Sequence, residues 1–166
     1  MKYRKEIDGL RALAIIPVLF FHTNLGFLDG GFVGVDLFFV ISGYLITSII
    51  YSQILNDQFS FVHFYERRFR RILPAFFFVV ILTFPFAYKL LFTNNFIEYA
   101  ESIIASTLFV ANILFWKDSD YFDNAAELKP LLHTWSLSLE EQFYIIFPIL
   151  LFILLKVFKN KNQVKF

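Results

Sequence analysis

The chain of 166 residues contains no cysteine, six glycines and five prolines, and only 17% of its residues are charged. A soluble domain carries about 25% charged residues. The missing cysteine excludes a disulfide scaffold and any zinc–thiolate site. The scarcity of charge excludes intrinsic disorder. What the chain does have is apolar surface. Hydrophobic residues make up 58%, aromatic residues 21%, and phenylalanine alone fills 25 positions. One soluble core of this size cannot hide that much. The composition therefore points to an all-α polytopic membrane protein, a transmembrane helix bundle. At about 20 residues per span plus a connection, the length holds four or five spans.

Four apolar stretches are long enough to cross the hydrocarbon layer, at approximately 10–28, 34–55, 72–92 and 137–158. A fifth, 103–116, is short and reads as a re-entrant or interfacial helix. The first stretch has the basic start and apolar run of a secretory signal. It lacks a small-residue cleavage site and carries Arg11, Pro17 and His22, so it reads as a retained helix. With the N-terminus in the cytoplasm and 103–116 re-entrant from outside, 12 of the 15 basic residues fall on the cytoplasmic side. Only Lys89, Lys117 and Lys129 fall outside. A spanning 103–116 would send the basic tail from Lys156 outward, against the positive-inside rule.

Ionisable groups at membrane depth are costly and mark candidate sites. Arg11 and His22 stand eleven residues apart, three helical turns plus about 20°, so they share a face about 16 Å apart along the axis. His22, Asp36 near the outer start of the second span, and Glu140 or Glu141 near the outer start of the fourth are expected at one depth. A carboxylate beside an imidazole raises its basicity and suits it to general-base work. The plainer alternative is helix packing, and Asp36 alone reads more readily as a helix cap. Arg67, Arg68, Arg70 and Arg71 form a basic cluster between the second and third spans. It reads either as a positive-inside anchor or as a polyanion site, since arginine forks bind phosphate. Ser136 reads as the N-cap of the fourth helix, Trp135 and Tyr144 as interfacial aromatics, and His63 and His133 as loop residues. His22, Asp36, His133 and Glu140 match no compact metal motif, so no metal site is expected. The basic residues are dispersed, which argues against nucleic acid as a partner.

Four strings occur in order: EIDGLRALAIIPVLFFH (6–22), GFVGVDLFFVISGYLIT (31–47), FYERRFRRILPAF (64–76) and HTWSLSLEEQFYIIFP (133–148). Together they resemble the acyltransferase-3 family of membrane O-acyltransferases, which acylate surface and exported glycans. The resemblance runs from near the start of the chain to about Pro148. It implies that Arg11 and His22 are essential, with His22 as base or acyl relay. It implies that an Arg-x-x-Arg pair holds the acyl donor, and Arg67/Arg70 and Arg68/Arg71 both fit. It implies that Glu140 and Glu141 lie near the site. The donor implied is acyl-CoA, as substrate and not as a resident cofactor, and the acceptor is a glycan hydroxyl. The implied setting is the lipid bilayer of the bacterial inner membrane, with a cytoplasmic N-terminus. The family domain has more spans than 166 residues hold, so this stretch is expected to be its N-terminal portion, truncated or completed by further helices. A non-catalytic fragment or a proton-linked, transporter-like component is the alternative.

Overall fold

A computed structural model describes residues 4–23, 30–118 and 128–163, with side chains as far as Val157. Every regular element among them is helical. The elements are α1 (Lys5–His22), a single 3₁₀ turn (Gly31–Val33), α2 (Gly34–Leu55), α3 (Phe61–Leu90), α4 (Thr93–Thr107), α5 (Ala111–Lys117) and α6 (Thr134–Gln163). The protein is all-α, and α2 (with its leading 3₁₀ turn), α3 and α6 are long and apolar enough to cross a membrane. Their apolar side chains face outward: Phe78, Ile81 and Phe86 of α3 are each more than 60% exposed. That is the surface a bilayer would cover. The 18 residues of α1 include Lys5, Glu6, Asp8 and Arg11, too many charges to place it in the same group. The end of the first expected span, 24–28, lies outside the described residues.

The chain divides into two compact units, one of residues 1–59 and 148–166, the other of 60–147. In the first unit α1 and α2 pack antiparallel. Arg4 Nη1 donates to the Tyr44 hydroxyl at 3.1 Å, and the Arg11 guanidinium lies 5.6 Å from the centre of the Phe38 ring. Backbones touch beyond the second of these pairs, toward the end of α1. A Cβ on Gly34 would sit 2.1 Å from the Ala14 carbonyl oxygen, and one on Gly31 2.2 Å from that of Pro17. Only glycine allows so close a crossing.

In the second unit α3 begins at Phe61, eleven residues before the expected span, because the basic stretch is itself helical. The Ser60 side chain caps it by accepting from the His63 N–H. His63 is thus a first-turn residue and not a loop residue. α4 runs back along α3: Phe96 meets Phe84 and Tyr88, and Phe109 stacks on Phe69. α4 ends in a Schellman motif, with Val110 N–H bonded to Ala105 O and Phe109 N–H to Ser106 O. Phe109 takes the left-handed position at φ 56°, where glycine is usual. α5 then returns, bringing Phe115 beside Tyr99 and Ser102. The α4–α5 segment therefore leaves and returns at one end of α3 over 93–117, as two helices instead of the single one read at 103–116. α6 starts at Thr134, so Ser136 is already inside it and donates to His133 O instead of capping.

Candidate active site

The α1–α2 crossing sets the heights of the ionisable groups in the first unit. Gly34 lies against Ala14 and Phe38 against Arg11, so Asp36 is level with the turn between Arg11 and Ala14. His22 closes α1 at its other end, about 14 Å further along. Asp36 also lies midway between Gly34 and Phe38 in sequence, which turns it to the face of α2 away from α1. The expected meeting of Asp36 and His22 at one depth does not occur within this unit. The glycine contact slides α2 past α1, so heights counted from the end of each helix do not coincide. Asp36 is exposed in the first turn of α2. There the helix dipole favours a carboxylate, although the cap position itself is Val33.

Arg11 is half-buried, and its Nε is shut away from solvent with no hydrogen-bond partner. His22 Nδ1 is 2.7 Å from the Val18 carbonyl oxygen. A carbonyl only accepts, so in the neutral ring Nδ1 carries the proton and Nε2 is the basic nitrogen. Phe21 packs edge-on against the same ring at 5.2 Å.

The second unit gathers a different set. Glu141 is 2% exposed, and Arg68, Glu140 and Arg71 act on it electrostatically. Its Oε1 has no hydrogen-bond partner. The Arg68 guanidinium lies 3.8 Å from the centre of the Tyr144 ring and 5.8 Å from that of Phe64. The Tyr144 hydroxyl donates to Glu140, and Tyr144 is buried at 1% exposure, not the interfacial aromatic expected. The Tyr65 hydroxyl donates to Ile145 O at 2.9 Å, tying α3 to α6 at this level. Glu140 and Glu141 were expected in an outer layer with His22. Here Glu141 is instead level with the arginine cluster, because α3 carries that cluster on its own first turns, beside this part of α6.

The four arginines also separate. Arg68 and Arg71 lie within electrostatic reach of Glu141. Arg68 is half-buried, while Arg67, Arg70 and Arg71 are exposed, and Arg70 pairs with Glu66 at 2.9 Å. Both Arg-x-x-Arg registers are thus present on adjoining faces of one helix, with Arg71 next to Arg67.

Sequence reasoning missed the polar group beside them. Gln142 Nε2 donates to Phe109 O at 2.7 Å and Asn112 Oδ1 at 2.9 Å, while its Oε1 accepts from Asn112 at 3.2 Å. Ser138 Oγ accepts from the Ala111 N–H, and Ser106 and Thr134 share a 2.7 Å bond. The spacing of Ser138, Glu141, Gln142 and Ile145 already marked one face of a helix. Its partner, the α4–α5 break, had no signal because Phe109 stands where a glycine would have announced it.

The model of an acyltransferase domain family, acyltransferase-3, matches residues 4–162. The chain belongs to the acyltransferase-3 family. It is similar to the O-acetyltransferase OatA of Staphylococcus aureus strains NCTC 8325, COL and MRSA252. Each is 41% identical over 170 residues, covering 99% of this chain and 27% of the relative. The chain thus spans about a quarter of the length of the relatives it matches. No solved structure matches it. In this acyltransferase-3 chain, Arg11 and His22 lie in the first unit and Arg68, Arg71 and Glu141 in the second.

Proposed function

We propose that this chain supplies the first helices of a membrane O-acyltransferase. The enzyme moves an acyl group, acetyl by analogy with OatA, from acyl-CoA at the cytoplasmic face to a glycan hydroxyl on the outer side. The observation that carries this reading is the 41% identity over 99% of the chain to proteins named O-acetyltransferase. The geometry adds support. His22 is held in the tautomer whose Nε2 is basic, as a general base requires. Nε2 takes the proton of the acceptor hydroxyl, the oxygen bonds to the thioester carbonyl carbon, and the C–S bond breaks. CoA leaves as thiolate, and the proton is passed back to it. Arg11, one helix length below, guides the donor arm. The exposed pair Arg67 and Arg70 grips the donor's phosphates. Arg68 and Arg71, beside Glu141, hold the α3–α6 frame that carries them. Glu140 and Asp36 act as polar support. The distribution of basic residues supports an N-terminus on the cytoplasmic side, and the reading sets the chain in a bacterial inner membrane. Catalysis is proposed for this chain together with the helices its relatives carry outside the matched quarter.

The test is His22→Ala in a host membrane, with the chain expressed alone and with the remaining segment of OatA. Glycan-bound acetyl is released by alkali and measured. The expected loss is at least about 100-fold. Acetylation near the unsubstituted level overturns the reading, and proton flux without any acyl-CoA dependence would favour a transporter-like component.

A further inference from the structure

The exposed face of α3 carries a short ion pair whose carboxylate the proposed chemistry does not use. Arg70 Nη2 lies 2.9 Å from Glu66 Oε1, four residues back along the helix. The Arg70 side chain is 80% exposed and that of Glu66 44%, so a solute can reach both. The other carboxylate oxygen, Oε2, has the His63 Nδ1 at 3.7 Å, too far for a hydrogen bond. Among the described residues, one short contact therefore holds Glu66. Arg67, also exposed, follows Glu66 directly in sequence. A polyanion gripped by Arg67 and Arg70 must meet this carboxylate.

Glu141 shows what a permanent counter-ion looks like in the same unit. It is buried, in the electrostatic reach of Arg71 and of the half-buried Arg68. Opening such a group strands a charge away from water, so it stays closed. The Glu66–Arg70 pair is the opposite case. Exposed pairs at i, i+4 are among the weakest in proteins, and water replaces either partner at little cost. A guanidinium binds carboxylate and phosphate oxygens in the same geometry, and phosphate brings more charge and more oxygens. Glu66 thus occupies Arg70 as a weaker version of the ligand proposed for it. Once displaced, it remains on the helix beside the phosphate and repels it. Both effects loosen the grip on an anion. The product CoA carries the same phosphates as the donor, so a looser grip also speeds its departure. Holding substrate and product more tightly alike would not raise turnover.

We propose that Glu66 is a resident competitor for the donor's phosphates, its carboxylate occupying the Arg70 guanidinium until acyl-CoA displaces it. Glu66 tunes affinity and takes no part in the bond changes. The proposal rests on the reading of Arg67 and Arg70 as the donor grip, and pyrophosphate is a probe that does not. Binding of acetyl-CoA and, separately, of pyrophosphate is measured by titration calorimetry on the purified chain in detergent. Glu66→Gln keeps the volume and the helix, and should tighten binding by about three- to tenfold. On an Arg70→Gln background the same change should gain less than about twofold. Glu101→Gln removes an exposed carboxylate of α4 and should change nothing. Circular dichroism checks that each variant is folded. The proposal is overturned if Glu66→Gln leaves affinity unchanged or weakens it, if the gain persists in full without Arg70, if Glu101→Gln gives the same gain, or if no variant binds either probe. Tighter pyrophosphate binding by Glu66→Gln, with no acetyl-CoA bound by any variant, would count against the donor reading and not against the competition at Arg70.

Discussion

The two units hold their helices together by opposite means. In the first, α1 and α2 meet backbone to backbone at Gly31 and Gly34, and the polar groups nearby find few partners: Arg11 Nε has none. In the second, the helices meet through side-chain amides and hydroxyls. Gln142, Asn112, Ser138, Ser106 and Thr134 bond across α4, α5 and α6. A contact made of missing atoms is broken by adding one. A contact made of hydrogen bonds is broken by taking one away. The first unit therefore tolerates loss of polarity but not gain of volume, and the second unit the reverse.

The sharpest way to break this contrast is Gly34→Ala. The new methyl would meet the Ala14 carbonyl at 2.1 Å and Val18 Cγ2 at 2.8 Å, so the two helices must separate. The expected loss is about 3 kcal/mol or more, read as a lower midpoint in denaturing-detergent unfolding followed by circular dichroism. Gly43→Ala is the control. A Cβ at Gly43 meets nothing within 4 Å, and in mid-helix it should gain roughly 0.5 kcal/mol. Equal effects at the two glycines would dissolve the distinction.

Gln142→Leu is the matching test of the second unit. It keeps the volume but removes two donors and an acceptor, orphaning Phe109 O and Asn112. The expected cost is about 2 kcal/mol, with proteolysis appearing first at the α4–α5 break, where the Phe109 carbonyl loses this bond. Gln142→Glu keeps the acceptor and should cost less at low pH, where the protonated acid donates again.

Much of this was legible beforehand and some was not, for identifiable reasons. Long apolar runs declare helices by length, and the residues of α2 stand out at once between Gly34 and Leu55. The helical phase of Arg11 and His22 needs only periodicity. Relative height between helices does not follow from periodicity. It is set by Gly31 and Gly34, whose small size is visible in the sequence while their contacts with Pro17 and Ala14 are not. The same limit placed Glu141 too far from Arg68: a 30-residue α3 that includes the basic stretch looks in sequence like a polar loop followed by a span. Tyr144 was misread because an amphipathic ring suits an interface as well as a buried stack under a guanidinium.

Tyr144 separates the two contributions it makes. Tyr144→Phe removes the bond to Glu140 but keeps a ring beneath Arg68, and should cost about 1 kcal/mol. Tyr144→Leu loses both and should cost at least about 1 kcal/mol more, since the Arg68 guanidinium then lies half-buried over an aliphatic chain. If the two variants unfold together, the cation–π contact contributes nothing.

The smallest stability effect, and the most useful for function, is expected at Arg70. Its pair with Glu66 is exposed and spaced i, i+4, so Arg70→Gln should change stability by only a few tenths of a kcal/mol. Arg68→Gln should cost more, because it strips the cation from above Tyr144 and leaves Glu141 with Arg71 as its remaining positive neighbour. Acyl-CoA retention by the purified chain should rank the other way. Arg67→Gln and Arg70→Gln should weaken it severalfold at nearly unchanged stability, whereas Arg68→Gln should weaken it only in proportion to unfolding. A rank order that puts Arg68 first in both measurements would mean that one arginine face serves the frame and the donor together, and that the exposed register is simply a membrane anchor.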